Sequence, residues 1–76
     1  MKAYVLINVR IGEIRDVLVS LRRVAGVSEA NMTFGPYDIV AVVNATDVNH
    51  LGSLLSSQIQ PIPGIQETLT CMAVES

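Results

Sequence analysis

Two segments of this chain, "AYVLINV" at Ala3–Val9 and "DIVAVVN" at Asp38–Asn44, are apolar at both odd and even positions. A β-strand sends successive side chains to opposite faces. A strand apolar on both faces must therefore be covered on both. The chain has 76 residues, enough for one domain. A domain of that size buries only about 60% of its unfolded surface. Half of the residues are apolar, with no Trp and a single Phe, so the core is aliphatic. That leaves more apolar surface than one small core absorbs, which points to a buried subunit interface.

The remaining segments fall around these two strands. Strand one is expected over Met1–Val9, with Met1, Ala3, Val5, Ile7 and Val9 on one face and Tyr4 and Leu6 on the other. In "GEIRDVLVSLRRVAG", Ile14, Val17, Leu18, Leu21 and Ala25 follow the spacing of an amphipathic helix. Glu13 and Asp16 lie at its start and Arg22–Arg23 at its end, as the helix dipole favours. Gly26 is placed to stop it with positive φ. Val27–Phe34 reads as an edge strand, with Ala30, Met32 and Phe34 on one face. "GPY" then closes a turn, and Asp38–Asn44 returns as a central strand. "TDVNHLGSLLSSQI" reads as a second helix, capped by Thr46 or Asp47. Its expected buried stripe is Val48, Leu51, Leu55 and Leu54. "QPIPG" breaks it, and Ile65–Glu75 forms the last strand. The order βαββαβ predicts an α+β, ferredoxin-like fold: a four-stranded antiparallel sheet with both helices on one face. Strands one and three are then central, and the helix-free face needs a partner. The inferred partner is a second copy, sheet against sheet.

Composition narrows the function. The formal net charge is −2 and only five residues are basic, without a basic stripe, so direct nucleic-acid binding is not expected. One cysteine, Cys71, rules out an internal disulfide and fits a reducing cytoplasm; it reads as a packed thiol. No run approaches the ~20 apolar residues of a membrane span. The single histidine, His50, reads as a solvated helix residue. No clustered metal ligands, phosphate loop or nucleophile motif is visible, so neither a cofactor nor a catalytic residue is assigned.

Two polar spots remain. In "GPYD", Gly35–Asp38, backbone N–H groups at a tight turn can receive a carboxylate, and the Asp38 carboxylate can accept from an ammonium. Read more plainly, it is a turn with Tyr37 packed on an edge. In "TLT", Thr68 and Thr70 share one side of the last strand; their hydroxyls either meet a ligand across a subunit boundary or are ordinary outward β-formers.

"GPYD" opening an apolar strand, then a helix, then "IPGIQETLT" resembles the effector-binding C-terminal domain of Lrp/AsnC regulators, the RAM domain. The matches are Gly35, Tyr37, Asp38, Pro63, Gly64, Ile65, Thr68 and Thr70, and the resemblance covers essentially the whole chain. Full-length members begin with a helix-turn-helix domain, whereas this chain begins at strand one and looks like a stand-alone module. The resemblance implies dimers by sheet packing, dimers assembled into octameric or similar rings, and an amino acid effector between dimers. It implies that Gly35, Tyr37 and Asp38 hold the amino acid's charged ends and that a neighbour's Thr68 and Thr70 complete the pocket. Mixed assembly with full-length Lrp/AsnC regulators is a further implication. Three alternatives stand beside the sensor: a dimeric α+β barrel enzyme of the monooxygenase or isomerase kind, a purely structural oligomerisation module, and an ACT domain, for which Gly12 between strand one and the first helix is the matching feature.

Overall fold

A computed structural model describes residues 1–74. Its elements are β1 (Lys2–Val9), α1 (Ile14–Arg22), β2 (Val27–Met32), β3 (Ile39–Asn44), α2 (Val48–Leu54), a π-helical turn (Leu55–Ile59) and β4 (Ile65–Met72). The sheet order is β2-β3-β1-β4, antiparallel throughout. The doubly apolar strands are indeed the central pair, and the βαββαβ ferredoxin-like arrangement holds.

Ala3, Val5, Ile7, Ile39, Ala41 and Val43 are fully buried beneath Val17, Leu18 and Leu21 of α1 and Leu51, Leu54 and Ile59 of the second helical segment. No polar side chain is buried among the described residues. The opposite face carries the even residues of the central strands. Register places Val42, Tyr4 and Cys71 in one row and Val40, Leu6 and Leu69 in the next. Glu29 and Asn31 of β2 border this block on one side. Asn44 and Lys2 border it at one end and Asn8 and Glu67 at the other. The Lys2 ammonium sits 5.2 Å from the centroid of the Tyr4 ring at that rim. An apolar centre with a polar border is the anatomy of a protein interface.

Several boundaries differ from the sequence expectation. Helix α1 stops at Arg22, so Ala25 is exposed outside it and Val24 packs on the core instead. The stop coincides with Arg22 donating from Nε (3.1 Å) and Nη2 (2.8 Å) to the Ala30 carbonyl of β2. Gly26 does take positive φ (+100°). Strand β2 ends at Met32, and Phe34 is fully exposed in the following loop rather than on the strand face. β4 ends at Met72; Glu75, assigned to it from the sequence, lies outside the described residues. Val48 is exposed at the first turn of α2 rather than part of its buried stripe. Cys71, expected to be packed, is exposed on the helix-free face of the single chain.

Helix α2 is capped by Asp47, whose Oδ1 accepts from the His50 amide at 2.8 Å. His50 replies through Nδ1, which accepts from the Thr46 amide at 3.0 Å. Its imidazole thus reaches back as the Glu or Gln of a capping box does, but to the amide of Thr46, one residue before the N-cap Asp47. Removing the cap with Asp47→Ala is expected to cost about 1 kcal/mol, a fall of roughly 4–8 °C in Tm by circular dichroism. Beyond α2 the helix widens, with the Gln60 amide bonding the Leu55 carbonyl at 2.8 Å. Ser57 and Ser56 hydroxyls donate to the Ser53 carbonyl at 2.6 and 3.3 Å. The widened turn ends with Ile59 fully buried.

Candidate functional site

The β2–β3 hairpin builds the site. Thr33 and Asp38 close it: the Thr33 amide donates to the Asp38 carbonyl (3.0 Å), and the Thr33 hydroxyl donates to the Tyr37 carbonyl (2.8 Å). Between them lies a four-residue loop, Phe34–Tyr37. Gly35 has φ +144°, a conformation that side chains rarely adopt. An added Cβ there would meet open space, so backbone shape rather than crowding favours glycine.

Asp38 ties the loop to β1. Its amide donates to the Ile7 carbonyl (2.9 Å), and its Oδ2 accepts from the Val9 amide (2.7 Å). This contact falls where the β1–β4 register shifts between Asn8 and Val9. One carboxylate oxygen therefore serves the fold, a role the sequence reading did not foresee. The other has no protein partner among the described residues.

Beside the hairpin is an open cleft of about 480 Å³ lined by Ile14, Met32, Thr33, Phe34, Gly35 and Asp38. Such a volume is in the range of small-molecule sites. Its chemistry is simple: apolar walls from Ile14 of α1, Met32 of β2 and Phe34 of the loop, with one carboxylate. Of the residues singled out from the sequence, Gly35 and Asp38 line it. Tyr37 is half-buried and does not.

Thr68 and Thr70 are elsewhere. They end the helix-side rows on β4, Thr68 opposite Ile7 and Thr70 opposite Val5. Ile39 pairs with the other side of Ile7, so Thr68 stands two strands, about 10 Å, from the start of β3. A single chain does not bring the pair and the hairpin loop into one pocket. Ile14, Met32, Thr33 and Phe34 were not singled out from the sequence. The available signal was Phe34, the only Phe, placed next to a turn in an aliphatic chain.

This fold carries a hairpin cleft at one end of the sheet and an unpaired apolar face. The model of the Lrp/AsnC ligand-binding domain matches residues 2–76, and the chain belongs to that family. TTHA0845 from Thermus thermophilus is 29% identical, with TM-score 0.93, over 99% of this chain and 94% of that one. AsnC from E. coli is 26% identical, with TM-score 0.93, over 99% of this chain but only 51% of its own. The transcriptional regulator NMB0573 from Neisseria meningitidis, solved as a complex with L-Met, is 17% identical with TM-score 0.88, over 97% of this chain and 49% of its own; at that identity the likeness is one of fold. A search of curated proteins returns no match. The family is one of regulatory ligand-binding domains. No helix among the described residues is long and apolar enough to cross a membrane.

Proposed function

We propose that this chain is an amino-acid-sensing regulatory oligomer of the Lrp/AsnC type, acting in the cytoplasm on transcription or metabolism through partner proteins, full-length Lrp/AsnC regulators among them. The observation that carries this reading is the cleft at the β2–β3 hairpin, where one free carboxylate oxygen of Asp38 stands beside apolar walls. An α-ammonium takes the carboxylate, an apolar side chain takes Ile14, Met32 and Phe34, and the ligand's carboxylate takes backbone N–H groups of the Gly35 turn. The L-Met complex of the Neisseria regulator supports an apolar amino acid on this fold. The hairpin and the Thr68–Thr70 pair lie apart in one chain, so the pocket is closed by Thr68 and Thr70 of a neighbouring copy. The dimer forms through the Tyr4, Leu6, Val40, Val42, Leu69 and Cys71 face, and dimers assemble into a ring.

The test is calorimetry and thermal shift with the twenty amino acids, repeated on two substitutions of Asp38. A ligand at a hundred times its Kd adds about 2.7 kcal/mol of stability. Asp38→Asn keeps an oxygen to accept from the Val9 amide but removes the charge; it is expected to melt near wild type and lose the ligand-induced shift. Asp38→Ala leaves that amide without its acceptor and is expected to lose a further 1–3 kcal/mol, roughly. A ligand shift that survives Asp38→Asn, or no shift with any amino acid, rejects the reading.

The enzyme alternative needs polar groups between sheet and helices, and no polar side chain is buried there among the described residues. Nothing specific favours it over sensing.

A further inference from the structure

Helix α1 buries Val17, Leu18 and Leu21 against the sheet and turns its other side to solvent. At about 100° per residue, Arg15, Val19, Arg22 and the C-cap Arg23 fall within about a third of the circumference of that solvent side. All four are exposed. Three of the chain's five basic residues therefore share one small surface, although the chain as a whole carries a formal charge of −2. Asp16, at the border of this surface, is the only acid in the helix.

The chain's own carboxylates do not use these cations. The ion pair among the described residues is Arg10 with Glu13. Glu29 accepts from the Asn31 side chain, Asp38 from the Val9 amide and Asp47 from the His50 amide. Arg15, Arg22 and Arg23 pair with no carboxylate among the described residues. Nor does the helix account for the set. Its dipole favours Arg22 and Arg23 at the C-terminal end but opposes a cation such as Arg15 in the first turn. Val19 stands among them 43% exposed, contributing little to a core that Val17, Leu18 and Leu21 already close. Arg22 is also fixed in place, because its Nε and Nη2 donate to the Ala30 carbonyl at 3.1 and 2.8 Å. Its Nη1 stays available for a carboxylate, and the ordering cost of binding is reduced in advance.

We propose that the exposed face of α1 docks an acidic amphipathic helix of a partner protein. Val19 meets its apolar side, and Arg15, Arg22 and Arg23 take its carboxylates. Guanidinium and carboxylate match as bidentate pairs, and a helical partner presents acids at the same spacing along one face. A second copy of this chain does not fit, since its α1 would set like charges against these. Nor does a nucleic acid. Arg15 and Arg22 lie only about 10 Å apart along the axis, a short track with an apolar centre, and Asp16 and the net charge repel a polyanion. The face lies across the sheet from Tyr4, Leu6 and Leu69, so a sheet-to-sheet contact leaves it open. The inference stands whether or not the hairpin cleft takes an amino acid.

The probe is a fluorescent peptide of about four helical turns, made of Glu, Leu and Ala with Leu along one face and Glu beside it. Its anisotropy is followed against the full chain in the absence of amino acids. Binding is expected at low salt and is expected to weaken as salt rises. The same peptide with Gln in place of every Glu is expected not to bind. Arg15→Gln combined with Arg23→Gln is expected to weaken binding about ten-fold, the loss of two exposed charge pairs. Both positions are exposed, so the melting curve is expected to stay near wild type. Arg22 is left intact because its removal would also strip the Ala30 carbonyl. Asp16→Asn is expected to tighten binding, a gain that no folding defect produces. Absence of binding, equal binding of the Gln peptide, wild-type affinity in the folded double variant or an unchanged Asp16→Asn overturns the proposal. Duplex DNA bound as tightly as the peptide also overturns it, since that result makes the face a phosphate site.

Discussion

Leu6→Asp is expected to break the proposed sheet-to-sheet contact, read as a sedimentation mass reduced to half that of wild type or less at micromolar concentration. Leu6 lies at the centre of the helix-free face between Val40 and Leu69. In the isolated chain it is only half-buried, so the fold itself loses about 1 kcal/mol, part of the 1.5–3 kcal/mol that full burial of a leucine gives. In the dimer the aspartate would be enclosed without a cation. An uncompensated buried charge costs about 3–5 kcal/mol, which weakens association by roughly two to three and a half powers of ten. Val19→Asp is the control. Val19 is exposed on α1, on the other side of the sheet, and its variant is expected to sediment like wild type. A Leu6→Asp protein of unchanged mass means that the face is covered by something other than a second copy.

The prominence of that face explains why so much of the architecture is legible in the sequence. Apolarity at both parities in β1 and β3 is a local property of the sequence, and it marks these two strands as the central pair of the sheet. Asp47 capping α2 and Gly26 turning the chain are local too. Details that failed depend on partners far along the chain. The end of α1 sits where Arg22 reaches Ala30, and no periodicity reports that contact. The widened turn at Leu55–Ile59 serves the burial of Ile59, which a helical wheel misplaces.

Asp38 shows the same division within the site. Its position at a turn is legible, and its suitability for an ammonium follows from its charge. That one of its oxygens is already bonded to Val9, 29 residues earlier, is not legible. Alternation continues through Phe34 and suggests a strand face, yet the hairpin closes at Thr33 and leaves its ring in solvent. Thr68 and Thr70 read as a hydroxyl pair beside the turn; sheet order puts them on the outer strand β4, two strands from the hairpin.

Gly64→Ala is expected to lower stability by about 2–5 kcal/mol. Gly64 lies where the loop after the second helical segment enters β4. Its φ is +101°, which costs an L-residue roughly 1–2 kcal/mol. The space is also taken: an added Cβ would lie 2.9 Å from Val17 Cγ2, 3.0 Å from Glu13 Oε1 and 3.2 Å from Glu13 Cβ. Val17 is fully buried and cannot yield without disturbing the core, and overpacking of that kind costs about 1–3 kcal/mol. Glu13 is held by its 2.8 Å ion pair with Arg10, whose amide in turn donates to the Gly64 carbonyl at 2.8 Å. The β1 exit, the first turn of α1 and the β4 entry thus meet at one residue without a side chain. For a domain of this size each kcal/mol moves Tm by about 4–8 °C, so a fall of roughly 10–40 °C in thermal unfolding is the expected readout. Gly35→Ala separates strain from crowding, because that glycine also has positive φ but nothing within 4 Å of the added carbon. Its loss is expected to stay near the 1–2 kcal/mol of backbone strain, roughly. Equal losses at the two positions would mean that α1 shifts to admit the methyl group and that close packing at Gly64 contributes nothing of its own.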